Sequence, residues 1–157
     1  MQLPYLTPLT PEQIAGAGVP GRWTYGMADR VRFAELDALN HVNNVAYLQW
    51  LEVLRVRYFV DWGMTRYRAD DPQLVVRSQT AEYLAPLLRD ADYIVTCRTT
   101  EYRRTSFTLD YVVFSDGAVK LTASTVIVMV EPDGATKRAL PDTVIERFRD
   151  VDGATRA

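Results

Sequence analysis

Hydrophobic and polar positions change their spacing several times along the chain, and each change marks an element. In "LTPEQIAGAGVPG", Thr10 stands ahead of Pro11, a start signal for a short helix that Gly16 and Gly18 end. From Tyr25 to Glu35 the spacing is two. Val31 and Phe33 fall on one face and Arg30 and Arg32 on the other, which predicts a first strand. From Asn44 to Trp62, thirteen of nineteen residues are apolar, with no internal Gly or Pro. Asn43 or Asn44 caps this helix and Gly63 stops it. Asn44, Glu52 and Arg55 fall within about 80° of one another on it, while Gln49, Arg57 and Asp61 scatter. A helix apolar almost all round is a buried rod.

Four strand-like segments follow, roughly 74–84, 93–102, 106–114 and 119–130. The third alternates cleanly, Phe107, Leu109, Tyr111 and Val113 against Ser106, Thr108 and Asp110. Short links, including "SDG" at 115–117, favour antiparallel hairpins. "PDTVIERFRD" closes the chain as a short helix starting near Pro141. One sheet must cover the long helix. The expected class is therefore α+β, a curved antiparallel sheet of about five strands wrapped around one long buried helix. A single domain is expected over 1–157, its core at about 24–131, with peripheral N- and C-terminal helices. So apolar a helix also predicts that a second copy completes its burial, as a homodimer or homotetramer.

Composition narrows the partners. Apolar residues are 48% and charged ones 24%, with a net charge of −2, so neither nucleic acid nor an anionic membrane is favoured. No apolar run reaches the roughly 18 residues a membrane helix needs, and the N-terminus lacks a basic-then-hydrophobic signal pattern. Cys97 is the only cysteine, which excludes an intramolecular disulfide and makes a reducing cytoplasm the expected compartment. With one His and one Cys, a zinc site of soft ligands is not expected, and no cofactor or metal is called for.

The chain contains no G-x-S-x-G elbow, P-loop or G-x-G-x-x-G fingerprint. What remains is the polar loop in "ELDALNHVNNVAYLQWLE", residues 35–52, at the N-terminus of the apolar helix. The first N–H groups of a helix lack internal partners and carry about half a positive charge. They suit an anion, or a carbonyl oxygen acquiring charge. Asp37 lies just upstream. A carboxylate beside such donors is modest equipment for an amide, but a thioester expels a thiolate, whose free pKa is about 8.5, with little acid help.

At these residues the chain resembles the hot-dog-fold acyl thioesterases, nearest the 4-hydroxybenzoyl-CoA thioesterase-like group and the plant acyl-ACP thioesterases. The shared pattern is Asp37, His41, Val42, Asn43, Asn44 and Tyr47. The resemblance implies that Asp37 is the catalytic carboxylate, as nucleophile or as general base on water. It implies that a backbone N–H near Asn43 or Asn44 polarises the thioester carbonyl. His41 matches a histidine that the plant enzymes use. Two positions depart from the family: Asn40 stands where the acyl-CoA group usually has Gly, and Leu39 where the plant enzymes have Asn. The implied activity is hydrolysis of an acyl-CoA, or of an acyl group on acyl carrier protein. The alternative is a non-hydrolytic module that binds the same ligands.

Other candidates surround this motif. Tyr47 is a core residue or a ligand contact. Glu52 and Arg55, spaced i, i+3, pair either at a subunit contact or at the border of the site. In "EYRRTSF", Arg103 and Arg104 stand at a strand end where guanidinium forks suit CoA phosphates, and Ser106 and Thr105 line an acyl pocket.

Overall fold

The computed structural model describes residues 2–157. In chain order the elements are α1 (Pro11–Gly16), β1 (Tyr25–Arg30), a 3-10 turn (Phe33–Glu35), α2 (Asn44–Asp61), β2 (Gln73–Tyr83), β3 (Asp92–Tyr102), β4 (Ser106–Ser115), β5 (Ala118–Val130), α3 (Asp142–Asp150) and β6 (Thr155–Arg156). The strands pair in the order β1-β3-β4-β5-β2. β1 runs antiparallel to β3, from Tyr25↔Cys97 to Arg30↔Asp92. The two-residue β6, for which the sequence carries no signal, pairs parallel to β3 through Glu101↔Thr155 and Tyr102↔Arg156. The expected order of strand, long helix and four strands is the order found.

The first strand is shorter than its alternation predicts. It ends at Arg30, and Phe33–Glu35 turn instead. Asp29 draws the Arg32 guanidinium back with hydrogen bonds of 2.8 and 3.3 Å. The Arg32 N–H then donates to Glu35 Oε2 at 2.8 Å, and the Glu35 N–H donates to the Arg32 carbonyl at 3.0 Å. The Glu35 side chain thus captures the Arg32 N–H, a backbone group that a longer ladder would use. Phe33, expected on the buried face with Val31, is 73% exposed.

The chain divides into two compact units. The first comprises residues 1–55, 81–97 and 111–123. There Tyr47, Trp50, Leu51 and Leu54 of α2 are buried, and Trp50 stacks on Tyr93 of β3 with ring centroids 3.9 Å apart. A second apolar cluster joins Leu9, Ile14 and Val19 to Ala28, Ile94, Val112 and Phe114. Neighbours such as Tyr93 and Ile94 point to opposite faces, so both faces of β3 are covered in this unit. α1 is closed by a capping box between Thr10 and Gln13. It packs so near β1 that a Cβ on Gly26 would lie 2.9 Å from the Val95 carbonyl oxygen and 3.1 Å from Ile14.

The second unit comprises residues 56–80, 98–110 and 124–157. Phe59 meets Phe107, and Phe107 meets Phe148 of α3 at centroid distances of 5.9 and 4.9 Å. The buried Asp152 carboxylate accepts hydrogen bonds from the Tyr58 hydroxyl and from the Thr99 N–H. Those bonds fasten the C-terminal turn to α2 and β3. Along α2, Val45, Val53, Val56 and Val60 remain 38–55% exposed, apolar surface that a single chain leaves open.

Candidate active site

The loop that opens α2 is closed on itself. Asp37 donates its N–H to the His41 carbonyl at 2.8 Å, and its own carbonyl accepts from the Asn40 N–H at 3.1 Å. Its Oδ1 accepts from the Leu39 and His41 N–H groups at 2.8 and 3.3 Å, an Asx turn that fixes the side chain. Oδ2 makes no hydrogen bond among the described residues, and Asp37 is exposed. Asn40 adopts φ +58, the left-handed region. Asn tolerates that region better than other side chains, so Asn40 can hold this turn without a glycine.

The helix start divides two roles that sequence leaves open. The Asn43 N–H is consumed by the Glu35 carbonyl at 2.7 Å, while its Oδ1 caps α2 by accepting from the Val45 N–H at 2.8 Å. The Asn44 N–H has no acceptor among the described residues. At that helix end it is left as an open donor.

Glu35 locks this assembly, and sequence reasoning assigned it no role. Its Oε1 accepts from the Trp50 indole N–H at 2.9 Å and its Oε2 from the Arg32 N–H. With its carbonyl on Asn43, one residue ties the end of the turn to the cap of the helix and to its second turn. A buried tryptophan N–H needs an acceptor. Nothing in a linear sequence says which carboxylate, fifteen residues away, supplies it.

The other side is built by residues 83–89. The Tyr83 hydroxyl donates to the Asn44 carbonyl at 3.0 Å, His41 pairs with Leu88 as an isolated bridge, and the Val42 N–H donates to the Leu87 carbonyl at 2.8 Å. Leu39, Leu88 and Tyr83 are about half exposed or more and border the loop with apolar surface. The Arg89 guanidinium lies 5.3 Å above the Phe33 ring. Tyr47 is core: 3% exposed, it touches Trp50 and Tyr83, and burial pushes its hydroxyl above the usual tyrosine range. Burial likewise raises Tyr93.

Asp37, His41, Asn43, Asn44 and Tyr47 therefore lie together. Glu52 does not join them; it faces solvent and pairs with the buried Arg55 at 3.5 Å. Arg103 and Ser106 lie in the second unit, lining a cavity of about 470 Å³ with Arg77, Phe107 and Thr108. Arg104 lines a second one, of about 370 Å³, with Arg103, Arg149 and Arg156. Trp50, Leu54 and Tyr58 are all core.

A long helix laid on such a sheet, with a carboxylate loop at its N-terminus, defines the hot-dog thioesterases. The chain belongs to the thioesterase-like superfamily, whose family model matches residues 31–148. Over 99% of its length it is similar, at 36% identity and a TM-score of 0.95, to the whole of a thioesterase-superfamily protein from Jannaschia sp. CCS1. It is 30% identical, with a TM-score of 0.69, to a thioesterase from Thermus thermophilus whose structure holds coenzyme A and zinc; 83% of this chain and 95% of that one are covered. A 1,4-dihydroxy-2-naphthoyl-CoA thioesterase from Synechocystis shares the fold, at 17% identity and a TM-score of 0.71 over 81% of this chain and 96% of that one. Among the described residues, no three His, Cys, Asp or Glu side chains gather into a metal-binding group. No helix there is long and apolar enough to cross a membrane.

Proposed function

We infer that this protein hydrolyses an acyl-CoA thioester to a carboxylic acid and free CoA. The observation that carries this is the Asp37 loop: Oδ1 is held by two backbone N–H groups, Oδ2 is open, and the Asn44 N–H is unclaimed at the same turn. The thioester oxygen sits on the Asn44 N–H, where the helix dipole favours charge as it develops. In one route Oδ2 takes a proton from water as its oxygen adds to the carbonyl carbon. In the other Oδ2 itself adds, and water later hydrolyses the anhydride. In both, collapse expels the CoA thiolate, which takes up a proton from solvent. His41 shapes the loop through its backbone, and Leu39, Leu88 and Tyr83 offer apolar surface to the acyl chain.

The exposed valines of α2 support a homodimer or homotetramer as the working form. Light scattering that finds a monomer at micromolar concentration overturns that assignment.

The test of the activity is thiol release over a panel of short, medium, long and aromatic acyl-CoAs. Asp37→Asn lowers turnover about 10²- to 10⁴-fold. Full activity in that variant, or no turnover of any member by the wild type, refutes the reading. Saturable acyl-CoA binding without thiol release would assign the chain to the binding alternative. Hydrolysis in ¹⁸O water under single-turnover conditions tests the nucleophilic route, since label found in Asp37 can come only from water opening an anhydride at the aspartyl carbon.

A further inference from the structure

We propose that Tyr83 is a positioning residue for the start of α2: its hydroxyl and the Glu35 carbonyl grip the chain on either side of the peptide group that carries the open Asn44 N–H. The oxygen this N–H receives rests on the acyl-CoA reading above; the grip itself rests on hydrogen bonds and ring contacts within the first unit.

Tyr83 is the last residue of β2. Just beyond it, the Leu84 and Ala85 N–H groups both donate to the Lys120 carbonyl, at 2.9 and 3.3 Å, which anchors this end of the strand to β5. The Tyr83 hydroxyl donates to the Asn44 carbonyl at 3.0 Å. One residue earlier, the Asn43 N–H donates to the Glu35 carbonyl at 2.7 Å. A single peptide group lies between those two bonds. Its carbonyl, that of Asn43, accepts from the Ala46 N–H at 3.0 Å, and its N–H is the unclaimed one of Asn44. Side-chain contacts join the two grips behind the turn. The Tyr83 ring meets Tyr47 edge-on with centroids 5.5 Å apart, and Tyr47 meets Trp50 at 5.1 Å. The Trp50 indole N–H then reaches Glu35 at 2.9 Å. From Asn43 through Glu35, Trp50, Tyr47 and Tyr83, the contacts close again on Asn44.

Burial does not require the Tyr83 bond. The residue is 47% exposed, and water alone satisfies a hydroxyl in that position. Nor does the Asn44 carbonyl need it, because a carbonyl in the first turn of a helix has the N–H four residues on as its partner. What the bond supplies is orientation. Helix ends fray, and the first turn is where α2 has fewest bonds of its own. A peptide group fixed on both flanks keeps its N–H on one line, so the donor needs no reorganisation when negative charge develops on a carbonyl oxygen. That benefit grows with the charge. It therefore falls on the transition state more than on the bound substrate, and it appears in kcat rather than in KM.

Tyr83→Phe keeps the ring against Tyr47 and removes only the hydroxyl. In steady-state turnover of the best acyl-CoA of the panel, kcat and kcat/KM fall together about tenfold while KM stays within about twofold. The thermal midpoint is unchanged, which confirms that the variant is folded. Replacing Tyr83 by 4-aminophenylalanine restores a donor on the same ring and returns kcat to within about threefold of wild type. A side chain that only packs shows neither the split nor the rescue. Backbone ¹⁵N relaxation supplies a readout apart from activity: the order parameter of the Asn44 amide falls in Tyr83→Phe, while that of Leu51, in the buried middle of the helix, does not move. Unchanged kcat in Tyr83→Phe, a raised KM with kcat intact, equal losses in the two variants, or an unaltered Asn44 order parameter overturns the proposal. A wild type that cleaves no thioester loses the hydrolase reading, and the Asn44 order parameter then decides the grip by itself. A thioesterase whose Tyr83→Phe variant keeps full kcat retains the hydrolase reading and loses this one.

Discussion

Removing the Glu35 carboxylate should damage both the stability of this protein and the placement of its candidate catalytic loop. Glu35→Leu deletes the acceptor of the Trp50 indole N–H, 2.9 Å away and shielded from solvent. A hydrogen bond to a charged partner there contributes about 1.5–3 kcal/mol. The Arg32 N–H, bonded at 2.8 Å, can turn to water, so its loss costs under about 1 kcal/mol. The Arg32 guanidinium is 3.9 Å away with its side chain 55% exposed, which leaves that ion pair about 0–0.5 kcal/mol after screening. The sum is about 2–4 kcal/mol, a fall in Tm on the order of 10 °C for a domain of this size. Glu35→Gln keeps an acceptor for the indole and should lose less than half as much.

Urea unfolding of Glu35→Leu, Trp50→Phe and the double variant isolates the contact, with a coupling of about 1–2 kcal/mol expected. Because the Glu35 carbonyl also holds the Asn43 N–H at 2.7 Å, a shifted turn moves Asp37 relative to Asn44. Thioester turnover should fall at least tenfold in Glu35→Leu, since small misplacements of reacting groups are costly. The reasoning fails if Glu35→Leu stays within about 0.5 kcal/mol of wild type, or if the two substitutions add independently.

Other substitutions probe different links in the argument. Gly26→Ala places a methyl 2.9 Å from a backbone oxygen and should destabilise the first unit by about 1–3 kcal/mol in chemical unfolding; an unchanged midpoint would refute the close approach. At Asn40, φ +58 predicts that Gly is tolerated and that Val costs about 1–3 kcal/mol, measured by scanning calorimetry. The Arg30 guanidinium and then the Tyr5 hydroxyl hold Asp92 below the usual carboxylate range. A depressed folded-state value means a contribution present above about pH 4 and lost as the pH falls through the folded value. The Tm difference between wild type and Asp92→Asn should therefore shrink below about pH 4, and a constant difference down to pH 2 would contradict it.

Much of this protein is written locally. The spacing of apolar residues specifies α2 and the four strands after it, because helix and strand periods differ and each pattern buries in only one way. Thr10 and Asn43 announce their caps because capping is an interaction over two or three residues. The Asp37–Tyr47 motif was legible for the same reason: its loop closes on its own backbone, so its chemistry is compressed into eleven consecutive residues. The early end of β1 was hidden, since Arg32 is drawn away by Asp29 and Glu35 rather than by any turn-forming residue. Tertiary structure alone decided the rest. It set Glu35 against Trp50, consumed the Asn43 N–H while leaving that of Asn44 open, and left Glu52 in solvent. It also gathered Arg149 and Arg156 beside Arg103 and Arg104. Those pairings join positions eight to more than fifty residues apart, and at such separations only the packed chain determines which groups meet.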